Sequence, residues 1–399
     1  MKVPFSPPDI GETEIAEVVD TLRSGWITTG KKTKQFEREL AQFCHTTKAA
    51  CMNSQTATAE MTLRLLGIGP GDEVITTAYT YTASASVICH VGAKPVLIDV
   101  AKDSYEMDYD ALEAAINERT KAIIPVDVGG IMCDYGRVFD IVRRKQGLFC
   151  PSNDLQRSFG RIIVIADGAH SLGAMRDGKI SGEAADFTCF SFHAIKNLTT
   201  AEGGAVTWLP LPGMDDEDLY RQYMLLSLHG QNKDALKKNR PGDWEYDIIG
   251  TYYKCNMTDI QASLGLAQLK RYASILDRRH EIIRRYDARL SGHGLRLPQH
   301  TGDGFRSSGH LYIVRVEGAD EQQRNEIIVQ MGEREVACNV HYKPLPMFTA
   351  YRNMGFDIQN YPNAFDLYRN AISLPLNTCL SDEQVDYVAD CLLDIINKG

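Results

Sequence analysis

The chain has 399 residues, 44% of them hydrophobic and 24% charged, with a formal net charge of −9, the balance of a folded globular protein long enough for two domains. That charge, with no long Lys/Arg block, excludes a protein that wraps nucleic acid, because phosphate backbones demand a clustered cationic surface. No run reaches transmembrane length, the N-terminal MKVPFSPPDIGETE lacks an apolar signal segment, and the ten cysteines show no CxxC and no His pairs at metal-ligand spacing, so the expectation is a cytoplasmic protein with neither a metal site nor a disulfide framework.

In chain order, short β-branched runs recur, each followed by a helical pattern, and predict strands over 49–54, 73–77, 95–100, 122–128, 162–166, 187–192 and 205–208. Several are continuously apolar, as in strands buried on both faces of a parallel sheet. Seven strands alternating with helices predict an α/β fold with a mostly parallel sheet. The polar stretch 147–161 reads as a surface insertion before the central strand IVIA (163–166). After Trp208 the strand signal fades. TDIQ (258–261) is a capping box that predicts a long helix carrying Leu264, Leu269 and later Ile275. Weaker strands follow at 310–316 and 335–341, then an amphipathic helix from Asp382. The expected division is a large domain over 1–270, with 1–30 packing near the small domain, and a smaller α+β domain over 271–399.

Three features fall where an open α/β sheet places its ligand site, at the C-terminal ends of strands. Asp167 directly follows IVIA. Lys196 lies in SFHAIKN (191–197), at the end of another apolar strand and before TTAEGG. A lysine desolvated there loses basicity and becomes a nucleophile. NSQTATAE (53–60) runs from strand into helix, where Thr56 and the first amides form an anion site. Each has an ordinary alternative: a helix-capping Asp, a surface-reaching Lys, a simple N-cap at Ser54 or Thr56. Their order in the chain is what pyridoxal phosphate (PLP) requires: a helix start for the phosphate, a carboxylate for the pyridine nitrogen, an amine for the aldehyde.

On SFHAIKNLTTAEGG, IADGAHSLGA and NMTDIQASLGLAQL, with SGWITTG (24–30) and NAISLPLN (370–377), the chain resembles the DegT-type nucleotide-sugar aminotransferases, a branch of the fold-type I PLP enzymes, nearly end to end. The resemblance implies Lys196 as the Schiff-base and proton-shuttling lysine, Asp167 as partner of the pyridine nitrogen and His170 beside the cofactor hydroxyl. It further implies Thr56, Ala57 and Ser191 at the phosphate, Tyr81 stacked on the cofactor, and Asn256 reaching the phosphate of a neighbouring subunit in a homodimer with shared sites. His341 and Tyr342 match a small-domain pair near the sugar. Trp26 offers a flat face and Thr28 a hydroxyl for the substrate.

The implied reaction aminates a nucleotide-linked keto-sugar, most simply a UDP-4-keto sugar, with glutamate as donor and 2-oxoglutarate as its product. Two other readings stay open: a cyclitol or other carbocycle aminotransferase of the same fold, and a non-catalytic cofactor-binding sensor. A dehydratase variant would replace Lys196 with His. Gln55 departs from the family's small residue, which predicts a reshaped phosphate loop. Asp127 stands where many members carry His or aromatic residues, which bears on the choice of sugar.

Overall fold

The computed structural model describes residues 1–233 and 245–397. Nine strands belong to the first two thirds of the chain: β1 (Ala49–Met52), β2 (Glu73–Thr77), β3 (Lys94–Ile98), β4 (Thr120–Ile124), β5 (Ile163–Asp167), the two-residue β6 (Met175–Arg176) and β7 (Lys179–Ile180), β8 (Phe187–Ser191) and β9 (Gly204–Trp208). Seven form one sheet in the order β1-β9-β8-β5-β4-β2-β3. β9 runs antiparallel to both neighbours and every other pairing is parallel.

The continuous apolar runs have a direct cause. Ala122, Ile124, Ile163 and Ile165 pack into one core, while the alternating Ile123, Val164 and Ala166 pack into another on the opposite face. Both faces are covered by helices, so both positions of the two-residue period must be apolar. Each fully buried Ile or Val contributes about 1.5–3 kcal/mol.

A second unit holds a three-stranded sheet of Leu295–Arg296, Tyr312–Val316 and Ala371–Leu374. Its core joins Ile282 and Tyr286 of the helix Tyr272–Leu290 to Val314, Ile372 and Leu392. Val3 is part of that core, with its backbone paired to Glu335 and Ala337.

Three expectations change. The segment 335–341 is not a strand; it pairs only at the bridges Val3–Val336 and Asn339–Ser373. Tyr312–Val316 pairs with Leu295–Arg296 on one side and Ala371–Leu374 on the other. The helix opened by the Thr258–Gln261 capping box ends at Lys270, and a second begins at Tyr272. Between them, Arg271 leaves helical geometry and grips Glu14 (2.7 Å) and Asp9 (3.1 Å).

The stretch 147–161 is docked rather than loose. It contains the helix Asp154–Phe159, and both Asn153 Nδ2 and the buried Gln156 Nε2 donate to Leu66 O at 2.9 Å. Leu66 caps the C-terminal end of the helix Gln55–Leu65, so these polar side chains satisfy a carbonyl that helix geometry leaves open. Among the described residues, no helix is long and apolar enough to cross a membrane.

Candidate active site

The parallel strands β1, β2, β4, β5 and β8 end along one edge of the sheet, and the small domain closes over that edge. The cavity between them measures about 310 Å³ and is lined by Thr56, Tyr81, Asp167, His170, Ser191, Lys196, His341 and Tyr342. A larger cavity of about 410 Å³ lies on the other side of Val126. Its guanidiniums, Arg176, Arg296 and Arg315, are all bound to carboxylates, and neither lysine nor histidine lines it.

Asp167 is delivered by β5, whose backbone stays paired to its last residue: Asp167 N donates to Pro125 O, and Gly168 N to Cys189 O. Its Oδ2 accepts a hydrogen bond from Ser84 Oγ at 2.6 Å, and its Oδ1 accepts from Ala169 N at 3.2 Å. Burial pushes its pKa above the ordinary carboxylate value, against the pull of Ser84, the Ala169 amide, Lys196 and Gln55.

Lys196 sits in a loop closed by Phe192 N to Gly203 O and Thr200 N to Phe192 O. Its neighbour Asn197 pins the loop to the small domain: Nδ2 donates to Ser308 O (2.8 Å), and Oδ1 lies 2.9 Å from His310 Nδ1. Among the described residues, Lys196 Nζ makes no hydrogen bond. Burial brings its pKa down to about 8, with only the Asp167 charge opposing.

At the third strand end, Ser54 caps the helix Gln55–Leu65, its Oγ accepting from Ala57 N at 3.1 Å. The Ala57 amide is thereby committed inside the helix, while Thr56 lines the cavity. Strand β9 passes so close that a Cβ on Gly204 would lie 2.3 Å from Gln55 N, and one on Gly203 would lie 2.1 Å from Thr200 Oγ1. Gln55 is the first residue of this helix. Its side chain is buried and acts on Asp167.

His170 Nδ1 accepts the Gly129 backbone N–H (3.2 Å), which leaves Nε2 to carry the proton and donate to Tyr342 Oη (3.0 Å). Burial and the nearby Lys196 hold His170 well below the usual histidine range, so it is neutral. His341 is brought down to about 4 by burial and Lys196, with Nδ1 2.9 Å from Ser373 Oγ. Tyr79 Oη donates to His341 O at 2.7 Å and ties this pair to the large domain. Tyr81 is exposed, its ring 6.1 Å from that of Tyr342.

Three expected residues lie elsewhere. Asn256 bridges to Met52 at the β1 edge of the sheet and donates to Thr29 Oγ1 at 2.6 Å. Trp26 Nε1 donates to Thr29 O (3.2 Å), and Thr28 O accepts from Asp259 N. They form one cluster that does not line the cavity of their own chain.

Asp127 also stays out of the cavity. Its carboxylate accepts from Cys133 N (2.9 Å), Tyr135 Oη (2.9 Å) and Ser171 Oγ (2.6 Å), and burial pushes it up to about 7. Sequence reasoning missed Thr80 and Ser84: Thr80 lies in the bend before the helix Ala83–His90 and Ser84 in its first turn, and the fold brings their hydroxyls to 2.8 Å.

The donor set fits PLP on the structure's own terms. An amine without a partner, a buried carboxylate with open acceptor capacity and a helix start approached by side-chain-free backbone converge on one cavity. That combination defines a fold-type I PLP enzyme. Residues 8–393 match the DegT/DnrJ/EryC1/StrS aminotransferase family.

The fold superposes with a TM-score of 0.97 on Spr1654 of Streptococcus pneumoniae, assigned as a sugar aminotransferase, in its PMP form; identity is 56% and both chains are covered in full. The PLP form of the same protein gives 0.96 at 54% identity, covering 100% of this chain and 99% of that one. The spore coat polysaccharide biosynthesis protein SpsC of Bacillus subtilis is 39% identical over 100% of this chain and 97% of its own. Helicobacter pylori PseC, an aminotransferase involved in the biosynthesis of pseudoaminic acid, matches at 28% identity and a TM-score of 0.86, with both chains covered in full. The chain belongs to the DegT/DnrJ/EryC1/StrS aminotransferase family and is a PLP-dependent aminotransferase.

Proposed function

We propose that the protein is a cytoplasmic homodimer that transfers the amino group of glutamate to the keto carbon of a nucleotide-linked sugar, most simply a UDP-4-keto sugar. The observation that carries this reading is Lys196, an unpaired amine opposite Asp167, beneath the small-domain pair His341 and Tyr342. PLP, when bound, supplies an aldehyde for the amines and a ring that takes up electrons. Lys196 holds the cofactor and, with a pKa near 8, is basic enough to take a proton from the donor's α-carbon and neutral often enough to do so. It returns a proton to the sugar's former keto carbon. Asp167 keeps the ring nitrogen protonated. Thr56 and Ser191 hold the phosphate, and the neutral His170 fixes Tyr342 at the cofactor's hydroxyl side. Tyr81 covers the ring, and His341 orients the sugar.

Asn256, Trp26 and Thr28 serve the partner's site in this reading. Exposed apolar side chains beside these residues in the chain, Ile27 next to Trp26 and Thr28 and Tyr252 and Tyr253 shortly before Asn256, support it, because exposed apolar groups of this size are often covered by a partner. The saccharide preference draws support from SpsC and PseC, named for polysaccharide and pseudoaminic acid biosynthesis.

The test is a reverse assay with 2-oxoglutarate against 4-amino sugars, nucleotide-linked and free, and against amino-cyclitols. Turnover of the nucleotide-linked sugars is expected. Turnover of cyclitols alone moves the enzyme to carbocycle chemistry. A protein that stays unconverted by glutamate is a sensor.

A further inference from the structure

We infer that Ser84, backed by Thr80, is a positioning residue: its hydroxyl holds the Asp167 carboxylate ionised and aimed at the cofactor's ring nitrogen. The inference rests on the proposed role of Asp167 and adds to it two residues of another element.

The geometry is a relay. Ser84 Oγ lies 2.6 Å from Asp167 Oδ2 and 2.8 Å from Thr80 Oγ1. An ionised carboxylate only accepts, so the Ser84 proton points to Asp167 and the Thr80 proton points to Ser84. Ser84 and Thr80 are each 1% exposed and Asp167 is 6% exposed, so water does not compete for these bonds.

Buried helical hydroxyls usually bond back to a carbonyl three or four residues earlier. Elsewhere in this chain Thr58, Thr62 and Ser263 do so, while Thr33, in a first helical turn as Ser84 is, gives its hydroxyl to the Asp259 carboxylate. Ser84, on the helix Ala83–His90, likewise donates across 83 positions of sequence.

The carboxylate needs that donor. The groups facing Asp167 are Asp127 from the turn after β4, Cys189 from β8, Tyr342 from the small domain, the neutral His170 from its own loop and Lys196. Lys196 is the only cation among them, and it has its own task with the cofactor. Burial works against the charged form. Apart from Lys196, that leaves Ser84, the Ala169 amide and Gln55 to hold the carboxylate ionised. The bond from Ser84 also fixes one carboxylate oxygen, which orients the remaining lone pairs into the cavity that Asp167 lines.

Removing the hydroxyl makes Asp167 more basic, so the proton shared with the ring nitrogen shifts toward the carboxylate. In Ser84→Ala holoenzyme loaded with ¹⁵N-labelled PLP, the ring-nitrogen resonance should move toward unprotonated pyridine. The acid limb of the kcat profile should rise by about one pH unit, the size expected for one charge-assisted hydrogen bond. Thr80→Val, nearly isosteric, should show a smaller shift in the same direction, and Thr80→Ser should restore the wild-type values. Thr80→Val decides alone if Ser84→Ala does not fold. Unmoved resonance and acid limb, with Asp167→Asn inactive, overturn the inference while the role of Asp167 stands. Asp167→Asn turning over like wild type overturns that role and the inference with it.

Discussion

The titration of Lys196 offers the most direct check on the site, because it needs no substrate. With a pKa of about 8, about one Lys196 amine in eleven is neutral at pH 7, against about one in 2,500 for an ordinary lysine at 10.4. Only the neutral amine attacks the aldehyde, so the apoprotein should capture PLP roughly 200-fold faster than its basicity class predicts at that pH. The assay mixes apoprotein with PLP and follows absorbance from pH 6 to 10, with butylamine run in parallel to divide out the cofactor's own ionisation. The corrected rate should climb about tenfold per pH unit and level off near pH 8. The sign of the second perturbation follows from the charges. Asp167 favours the ammonium, so Asp167→Asn removes that support and the inflection should move lower still. An inflection near pH 10 in wild type, or an upward move in Asp167→Asn, refutes the reasoning that burial sets this lysine.

Gly204→Ala places a Cβ 2.3 Å from Gln55 N and 2.4 Å from Ser54 C. Backbone must therefore shift, and a loss of about 1–3 kcal/mol in stability with weaker PLP binding is expected, measured by thermal unfolding and cofactor titration. Mixing inactive Lys196→Ala with inactive Asn256→Ala should restore about a quarter of wild-type activity, since half the dimers then carry one intact site; no recovery after verified subunit exchange counts against sharing. Gln156→Leu leaves Leu66 O without one of its two donors and should cost about 1 kcal/mol, read as a lower Tm, while an unchanged Tm makes 147–161 the loose insertion its polarity suggests.

What was legible in the sequence depended on whether the cause was local. The buried strands announced themselves because both faces must be apolar, as in Ile163, Val164 and Ile165. The Thr258–Gln261 cap was readable because a capping box is a four-residue contact. Polar residues with distant partners were misread: Asn153 and Gln156 resemble loop residues until Leu66 O is seen beneath them. The segment 335–341 has strand-like composition, yet Ala371–Leu374 takes the ladder with Tyr312–Val316, and sheet partnership is a property of the assembled core. The roles that the resemblance implies for Trp26, Thr28 and Asn256 have no counterpart in the geometry of one chain, which keeps all three out of the cavity lining.

The contrast between Asp127 and Asp167 shows why composition alone does not mark a site. Both are buried carboxyls at the ends of adjacent strands, and burial pushes both upward. Asp127 has three donors on its two oxygens, from Cys133, Tyr135 and Ser171, and faces no cavity. Asp167 takes one on each oxygen from Ser84 and Ala169, with Gln55 a further donor, and opens onto the space beside Lys196. A carboxylate offers about four acceptor sites, so Asp167 retains capacity that the protein leaves unfilled in a place where an unpaired charge is costly. Such a deficit is tolerable when a ligand completes it, and a ring nitrogen carrying a proton is a group of the right charge and direction. What separates the two carboxyls is therefore what they face: Asp167 opens onto the cavity beside Lys196, and Asp127 is enclosed by Cys133, Tyr135 and Ser171.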